Sequence, residues 1–378
     1  MFSAERVKQY QSRDTFLQVA IILLAGLGIT TLFSASYYYA ELKFDDALHF
    51  VRRQLMFLGL GTVLAIVMAR TPLDMVKRYS VPLILISLAL SLATFIPGIG
   101  QEIMGARRWI YVFGYSFQPS ELAKVAVILY LAYMLSKKEE RINDFMNSLF
   151  PPLLVVFVFV AIIYLQNDFS TAFFIFFIAL AMFFIANIRL IYFFLLLSIG
   201  IPLGGILLFT KEHRVQRLIA FLHPESDPIG AGYQINAAKS ALVKGGLWGT
   251  GVGEGAKKLG GLPEAHSDFV FAVLGEEMGF LGVLFVIAIF GFFAYRGYLI
   301  AYHGKDKYVH YLAFGITTCV LYQALLNIAV VSGLIPATGI PLPFFSSGGS
   351  SLVMTLIMAG ILVNLSKHVY VRRKNGYE

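Results

Sequence analysis

Apolar runs of the length needed to cross about 30 Å of hydrocarbon recur along the whole chain, and no other feature restricts its fold so strongly. Ten are counted: Phe16–Phe33, Leu55–Ala69, Val81–Ile96, Pro119–Leu135, Pro151–Leu165, Ser170–Ala186, Ile191–Phe209, Phe269–Phe293, Leu312–Val331 and Leu352–Leu365. A backbone in lipid must satisfy its own hydrogen bonds, so only helices and closed barrels cross, and continuous rather than alternating runs select helices. Composition agrees: 58% of residues are hydrophobic and 14% charged, against about 25% charged in soluble globular chains. The expectation is an all-α, polytopic integral membrane protein with ten transmembrane helices, forming a single transmembrane domain over residues 1–378.

Orientation follows from the cations near the ends of the runs. Arg6, Lys8 and Arg13 precede the first run. Arg70, Lys77, Arg78, Lys137, Lys138, Arg141, Arg189, Arg296, Lys305 and Lys307 fall in even-numbered connections, and Lys367, Arg372, Arg373 and Lys374 follow the last run. Such residues mark the cytoplasmic side, so both termini are expected there. The odd connections are poorer in cations, except the long stretch 211–265, where the rule is weak. The net charge of +8 thus reads as membrane anchoring. Its scatter by topology excludes a nucleic-acid-binding stripe. The first run, although FSAS follows it, reads as an uncleaved anchor because nine more spans come after it. Cys319 is the single cysteine, so no internal disulfide is available.

Stretch 211–265 is the one long extracytoplasmic connection. Arg214–Leu222 and Gln234–Leu247 place cations among apolar residues at helical spacing, which predicts short helices lying along the interface. The glycine-rich GGLWGTGVGEGAKKLGG that follows is not a phosphate loop. Ala256 stands where the Walker glycine belongs and Lys258 where Ser or Thr belongs, so no nucleotide is expected.

Four polar groups interrupt this apolar pattern, and an ionisable side chain at membrane depth costs at least about 2.5–3.5 kcal/mol, which makes each a functional candidate. In GARRWIYVFGYSFQPSELAK, Pro119 suits a first helical turn, which sets Glu121 and Lys124 three apart on one face; a self-compensating pair closing a helix end is the plainer reading. Arg107 and Arg108 before it are cations at the outer surface, suited to headgroup anchoring or to a ligand. In LQNDFSTA, Asp168 lies at the membrane edge, where an ordinary N-cap role is equally open. LPEAHSDFVFAVLGEEMGFLG places Asp268 in the first turn of the eighth span, where the helix dipole favours a carboxylate. Below it Ala272, Gly275, Gly279 and Gly282 form a small-residue row, suited either to close helix packing or to a groove for an acyl or isoprenoid chain. Glu276 and Glu277, deeper in that span, must face the bundle interior or a wet cavity. Finally, SGLIPATGIPLPFFSSGGSS is too rich in proline and glycine to be helical throughout, which predicts a re-entrant or tightly folded loop buried in protein. Its Ser346, Ser347, Gly348 and Gly349 offer hydroxyls and backbone N–H groups suited to an anion; a structural turn is the alternative. All four groups lie on odd connections, hence on one face.

These motifs, in this order and over essentially the whole chain, resemble the SEDS family of FtsW, RodA and SpoVE. IPGIGQEIMGARRWI and TGIPLPFFSSGGSS resemble the FtsW branch more than the RodA branch. The resemblance implies a ten-helix peptidoglycan glycosyltransferase that polymerises lipid II on the outer face of the bacterial cytoplasmic membrane, during division or elongation. It carries the family's essential aspartate onto Asp268 of HSDF, beside His266. Its conserved arginine falls on Arg108, its buried Glu and Lys on Glu121 and Lys124, and its QPDLGT-like aspartate on Asp168. Asn167, Ser170, Ser267 and Ser347 depart from the family's usual proline, glycine, threonine and tyrosine, which bears on local geometry.

On that resemblance Asp268 is the expected general base, with Arg108 and Lys124 neutralising a departing diphosphate, Glu121 orienting Lys124, and Asp168 positioning a cation or a sugar. A divalent cation, Mg²⁺ or Mn²⁺, held by Asp268 is the alternative role for that carboxylate. Undecaprenyl-diphosphate-linked glycan, a class B penicillin-binding protein that supplies transpeptidation, and other division or elongation proteins are the implied partners. Two other function classes stay open: a transporter that flips the lipid-linked precursor, and a noncatalytic division scaffold.

Overall fold

The computed structural model describes residues 14–103, 105–112, 114–138, 144–226, 230–255 and 262–369. Arg6, Lys8, Arg13, Arg141, Arg372, Arg373 and Lys374 among the topology-setting cations, and Ala256 and Lys258 of the excluded phosphate loop, lie outside these residues. In chain order the elements are α1 (Thr15–Phe44), α2 (His49–Arg70), α3 (Leu73–Ala93), β1 (Gly100–Ile103), β2 (Ala106–Val112), β3 (Tyr115–Phe117), α4 (Pro119–Lys137), α5 (Phe150–Leu165) and α6 (Phe169–Ile185). They continue with α7 (Leu190–Leu208), α8 (Glu212–Leu222), α9 (Ala231–Gly245), α10 (Val270–Tyr302), α11 (Lys307–Val331) and α12 (Gly349–Leu365). Each expected apolar run lies in a helix. Nine helical spans among the described residues are long and apolar enough to cross a membrane, and α6, the helix of the sixth run, is a shorter apolar helix of 17 residues. The protein is an integral membrane protein built from helices.

Local sequence explains where these helices begin. Asp14, Asp168 and Asp306 cap α1, α6 and α11, each side chain accepting from a backbone N–H three residues on, the usual way to satisfy an orphan donor. Pro119 occupies the first turn of α4. The buried centre is made by α4, α11 and α12, with α12 packed along α2 and α10 along α11. By contrast α7, apolar all round, has no buried residue and packs mainly against α6.

Side-chain pairs sort the connections onto two faces. On one, Lys77 meets Asp306, Arg296 meets Asp14, the Asp14 N–H donates to Ser366, and Lys367 donates to the Ala69 carbonyl. On the other, Arg108 meets Asp168, Tyr164 meets Thr210, the Gln118 N–H donates to Ser350, and the Ser347 N–H donates to the His266 carbonyl. The first set joins the N-terminus, even connections and the end of α12; the second joins odd connections. These pairs thus hold even connections with even ones and odd connections with odd ones.

The helical fold class holds, with one minor addition: the third connection folds into a small antiparallel sheet, β1-β2-β3. One expectation is corrected. The eighth span does not begin at Asp268. Its helix starts at Val270, with Phe269 as N-cap, and Asp268 lies in the preceding turn. Of the two readings open for the small-residue row, close packing holds at Gly275, against Leu242 of α9, and at Gly279, against Gly249 and Leu247. At Gly279 the helix is broken by a residue at φ 64° and ψ −169°, a left-handed φ that only glycine adopts without strain. Phe280 and Leu281 donate to the Gly246 and Leu247 carbonyls there. The leg from Phe280 to Tyr302 alone supplies about 34 Å of helix, enough to span. The leg before the break is therefore free to serve the site at its start. Glu276 and Glu277 end that leg, Glu276 paired with Lys244 at 3.0 Å and Glu277 accepting from the Ser34 hydroxyl at 2.6 Å.

Candidate active site

Strand β2 decides which of two neighbouring arginines turns inward. Successive strand residues point to opposite faces, so Arg107 pairs with exposed Glu102 across the β1–β2 hairpin at 3.0 Å, while Arg108 reaches Asp168 at 3.5 Å. Asp168 is 4% exposed and has three partners: the Thr171 N–H of its own helix at 3.3 Å, the Gln118 amide at 3.0 Å, and Arg108. The N-cap role and the cation-positioning role are thus held by one carboxylate. Arg108 Nε is buried with no partner of its own.

Glu121 and Lys124 form the expected i,i+3 pair at 2.8 Å, both about 5% exposed. Lys124 also donates to Gln323 Oε1 at 3.0 Å and lies 5.3 Å from the centre of the Phe174 ring. Its charge is therefore satisfied inside the bundle, by Glu121 and Gln323. Gln323 in turn donates to the Pro341 carbonyl at 2.9 Å. One turn on, Asn327 donates both to the Asp268 carbonyl at 2.8 Å and to the Ile340 carbonyl at 2.9 Å. Two amides on one face of α11 thus tie the α4 ion pair, the ninth connection and the Asp268 turn together.

The ninth connection is re-entrant. Residues 334–348 are non-helical, and Ile340, Leu342, Phe344 and Phe345 are buried. The Phe344 carbonyl lies so close to Gly28 of α1 that any side chain there would collide with it. Gly28 is sixteen residues from the outer end of α1, about 24 Å down the helix. The loop's polar groups are taken up in bracing: Ser346 accepts from the Leu342 N–H at 2.8 Å and donates to the Ser267 carbonyl at 2.7 Å, and the Ser347 N–H donates to the His266 carbonyl at 2.9 Å. Gly349 packs on Phe57 and Gly348 caps α12. The Ser346 hydroxyl, expected to meet an anion, is directed instead at the HSDF turn, and the Ser347 backbone N–H braces the same turn.

In that turn Asp268 accepts from the Ser267 hydroxyl at 3.0 Å. Burial pushes its carboxyl above the usual carboxylate range, and Glu264 adds to the rise. The Ser267 hydrogen bond opposes this, as do Arg108 and Arg217 more weakly. Arg217 of α8 is the cation that sequence reading left among interfacial residues. Its guanidinium donates to the Ala337 carbonyl at 3.4 Å and lies within electrostatic reach of Asp268, Arg108 and Asp168. His266 stacks on Tyr39 at 5.0 Å and meets the tilted Phe50 ring at 4.4 Å; burial lowers its pKa to about 4, so it is a neutral ring near pH 7. Asp268 thus sits between a cationic side and an aromatic side.

The structure brings Arg108, Asp168, His266 and Asp268 to one face, with Ser346, Ser347, Gly348 and Gly349 as supports and Glu121 and Lys124 inside the bundle. Arg217, Gln118, Gln323, Asn327 and Tyr39 were missed. The signal for Gln323 and Asn327 was available: two amides four apart inside an apolar span.

Comparison with known proteins agrees with this architecture. The profile of the FtsW/RodA/SpoVE family, described as cell cycle protein, matches residues 14–371. A probable peptidoglycan glycosyltransferase FtsW from Geobacter sp. (strain M18) is 40% identical over 363 residues, covering 95% of this chain and 98% of the relative. Stage V sporulation protein E from Bacillus subtilis (strain 168) is 38% identical over 357 residues, covering 94% and 98%. A chain of a peptidoglycan synthase complex that coordinates polymerization and crosslinking superimposes with a TM-score of 0.78 at 26% identity, covering 96% of this chain and 99% of that one. Thermus thermophilus RodA, a rod shape determining protein, gives a TM-score of 0.70 at 25% identity, with 96% and 99% covered. The chain belongs to the FtsW/RodA/SpoVE family.

Proposed function

We propose that this chain is a peptidoglycan glycosyltransferase that polymerises lipid II into glycan strands on the outer face of the bacterial cytoplasmic membrane. The observation that carries the reading is one grouping on the face opposite the cation-rich connections: a partly buried carboxylate with raised basicity, Asp268, within electrostatic reach of two guanidinium groups, Arg108 and Arg217. Relatives that are 36–40% identical and named for this activity support it.

The reaction joins the 4-hydroxyl of an incoming N-acetylglucosamine to the anomeric carbon of a chain held on undecaprenyl diphosphate. As the new C–O bond forms, the bond from the anomeric carbon to the diphosphate oxygen breaks. Asp268 takes the hydroxyl proton, and its raised pKa strengthens it as a base. Arg108 and Arg217 meet the charge that develops on the diphosphate, Arg108 with a planar fork suited to two phosphate oxygens. Asp168 orients Arg108. Lys124 and Glu121 act indirectly, through Gln323 and the re-entrant loop, as positioning residues.

A divalent cation is the second role open to Asp268. The donor set gives it little support. No three His, Cys, Asp or Glu side chains converge among the described residues, and Arg108 and Arg217 lie within electrostatic reach of the same carboxylate. Mg²⁺ or Mn²⁺ bound there would depend on phosphate oxygens to complete its shell, and no step is assigned to it. A class B penicillin-binding protein is the proposed partner, supported by the likeness to a chain of a synthase complex that couples polymerization to crosslinking. Purified protein given lipid II in liposomes should make glycan strands and translocate no lipid II across the bilayer; translocation without strands would favour the transporter.

A further inference from the structure

Helix α1 is longer than a membrane needs. Its 30 residues extend about 45 Å, against about 30 Å of hydrocarbon. Asp14, pinned to Arg296, fixes its other end, so roughly its last ten residues stand clear of the lipid on the face that carries Asp268. They read ASYYYAELKF, residues 35–44. Here Tyr39 stacks on His266 with ring planes 19° apart, Phe50 packs on both, and Phe44 stacks on His49 at 4.1 Å and meets Phe50 at 5.8 Å. Five rings form one continuous layer that ends two residues from Asp268. Lys43 donates to the Tyr39 hydroxyl at 2.8 Å and lies over the Tyr39 and Phe44 rings.

A lipid-facing aromatic belt would turn its rings toward the bilayer, whereas these turn toward the HSDF turn. A hydrophobic core would cover them, yet Tyr39 is 38% and Phe44 42% exposed. The layer is a poor seat for an anion. His266 is neutral near pH 7, Lys43 is engaged by the Tyr39 hydroxyl at 2.8 Å, and Asp46 takes up Arg52 at 3.0 Å. The cations that suit phosphate lie on the other side of Asp268. What fits partly open aromatic faces with polar edges is a neutral ring whose faces are C–H and whose rim is hydroxyl, because polarised C–H groups are attracted to the negative face of an aromatic.

We propose that Tyr39, Phe44, Phe50 and His266 form a saccharide subsite that seats the neutral hexose bearing the attacking hydroxyl, with the diphosphate on the Arg108–Arg217 side. The inference rests on the glycosyltransferase reading and adds to it which wall of the cleft holds which half of the chemistry.

The test uses the full chain in nanodiscs with chitotetraose, an uncharged oligomer of N-acetylglucosamine, as the probe, followed by saturation-transfer NMR and calorimetry. Wild type should bind it through the axial C–H face. Tyr39→Ala and Phe44→Leu should each weaken binding about tenfold, the size of an aromatic stacking contact, and Tyr39→Phe should bind as wild type does. Inorganic pyrophosphate should bind all of these equally and lose affinity in Arg108→Gln. Phe44 ends its helix and is exposed, so Phe44→Leu decides the matter if Tyr39→Ala does not fold. Absent chitotetraose binding in a preparation that polymerises lipid II would overturn the subsite and leave the enzyme reading intact. So would equal binding by wild type and Phe44→Leu, or a loss of pyrophosphate affinity in Tyr39→Ala. A preparation that never polymerises lipid II would remove the enzyme reading itself.

Discussion

One amide nitrogen, Asn327 Nδ2, holds the backbone carbonyl of Asp268 at 2.8 Å and that of Ile340 at 2.9 Å, so the base and the re-entrant loop share a single anchor on α11. Removing it leaves two buried carbonyls unsatisfied at about 1–3 kcal/mol each. Asn327→Leu, close to isosteric, should therefore lower the thermal unfolding temperature. It should also reduce kcat for strand synthesis by about a hundredfold, the cost of displacing a reacting group by about 1 Å, with a smaller change in KM. A kcat equal to wild type would show that the Asp268 turn is held by other contacts.

The pH profile reports on the same carboxylate. Burial raises the Asp268 pKa and Arg108 lowers it. A base must be ionised, so kcat/KM should fall as the pH drops through that raised pKa, with a midpoint above the roughly 3.9 of an ordinary aspartate. Removing Arg108 takes away a lowering influence. The acid limb of Arg108→Gln should accordingly move to higher pH, and a shift to lower pH would contradict the assignment.

Glu121 and Lys124 test a different physical rule. Breaking a buried ion pair strands one charge and costs about 3–5 kcal/mol, whereas replacing both members can be nearly neutral. Lys124→Met should destabilise the fold by about that amount, and Glu121→Gln combined with Lys124→Met should recover much of the loss. Chemical denaturation in detergent measures both. Equal stability of the single and double variants would show that the pair is not coupled.

Gly279 breaks α10 at a positive φ, where a methyl group would also meet the Gly249 nitrogen. Gly279→Ala should cost about 1–3 kcal/mol from backbone strain alone, and more from the collision. Because the broken leg carries the HSDF turn, activity should fall with stability. Stability and activity both equal to wild type would mean that the break serves no positioning role.

Much of this was legible in the sequence because membrane physics restricts it. Runs such as Phe16–Phe33 and Lys/Arg placement gave the helices and their alternation, and costly ions such as Asp168 and Glu121 marked the site. Other features depended on contacts made far along the chain. The sheet of the third connection arises from short segments with little hydrophobic signal. The break at Gly279 appears only when α9 and the glycine-rich turn pack against α10, so a row of small residues read equally well as a groove. Ser346 looked like an anion ligand because the group to which its hydroxyl donates, the Ser267 carbonyl, is 79 residues away. Arg217 looked interfacial because its amphipathic helix is, and only the tertiary fold brings it within electrostatic reach of Asp268.

The central claim concerns one carboxylate. Purified wild type and Asp268→Asn, matched for thermal stability, should be given lipid II in liposomes, with strand synthesis followed over time and with and without EDTA. Wild type should form glycan strands whether or not chelator is present. Asp268→Asn should lose at least the factor of about 10²–10⁴ typical of an absent general base. Strand synthesis by Asp268→Asn at the wild-type rate would contradict the account.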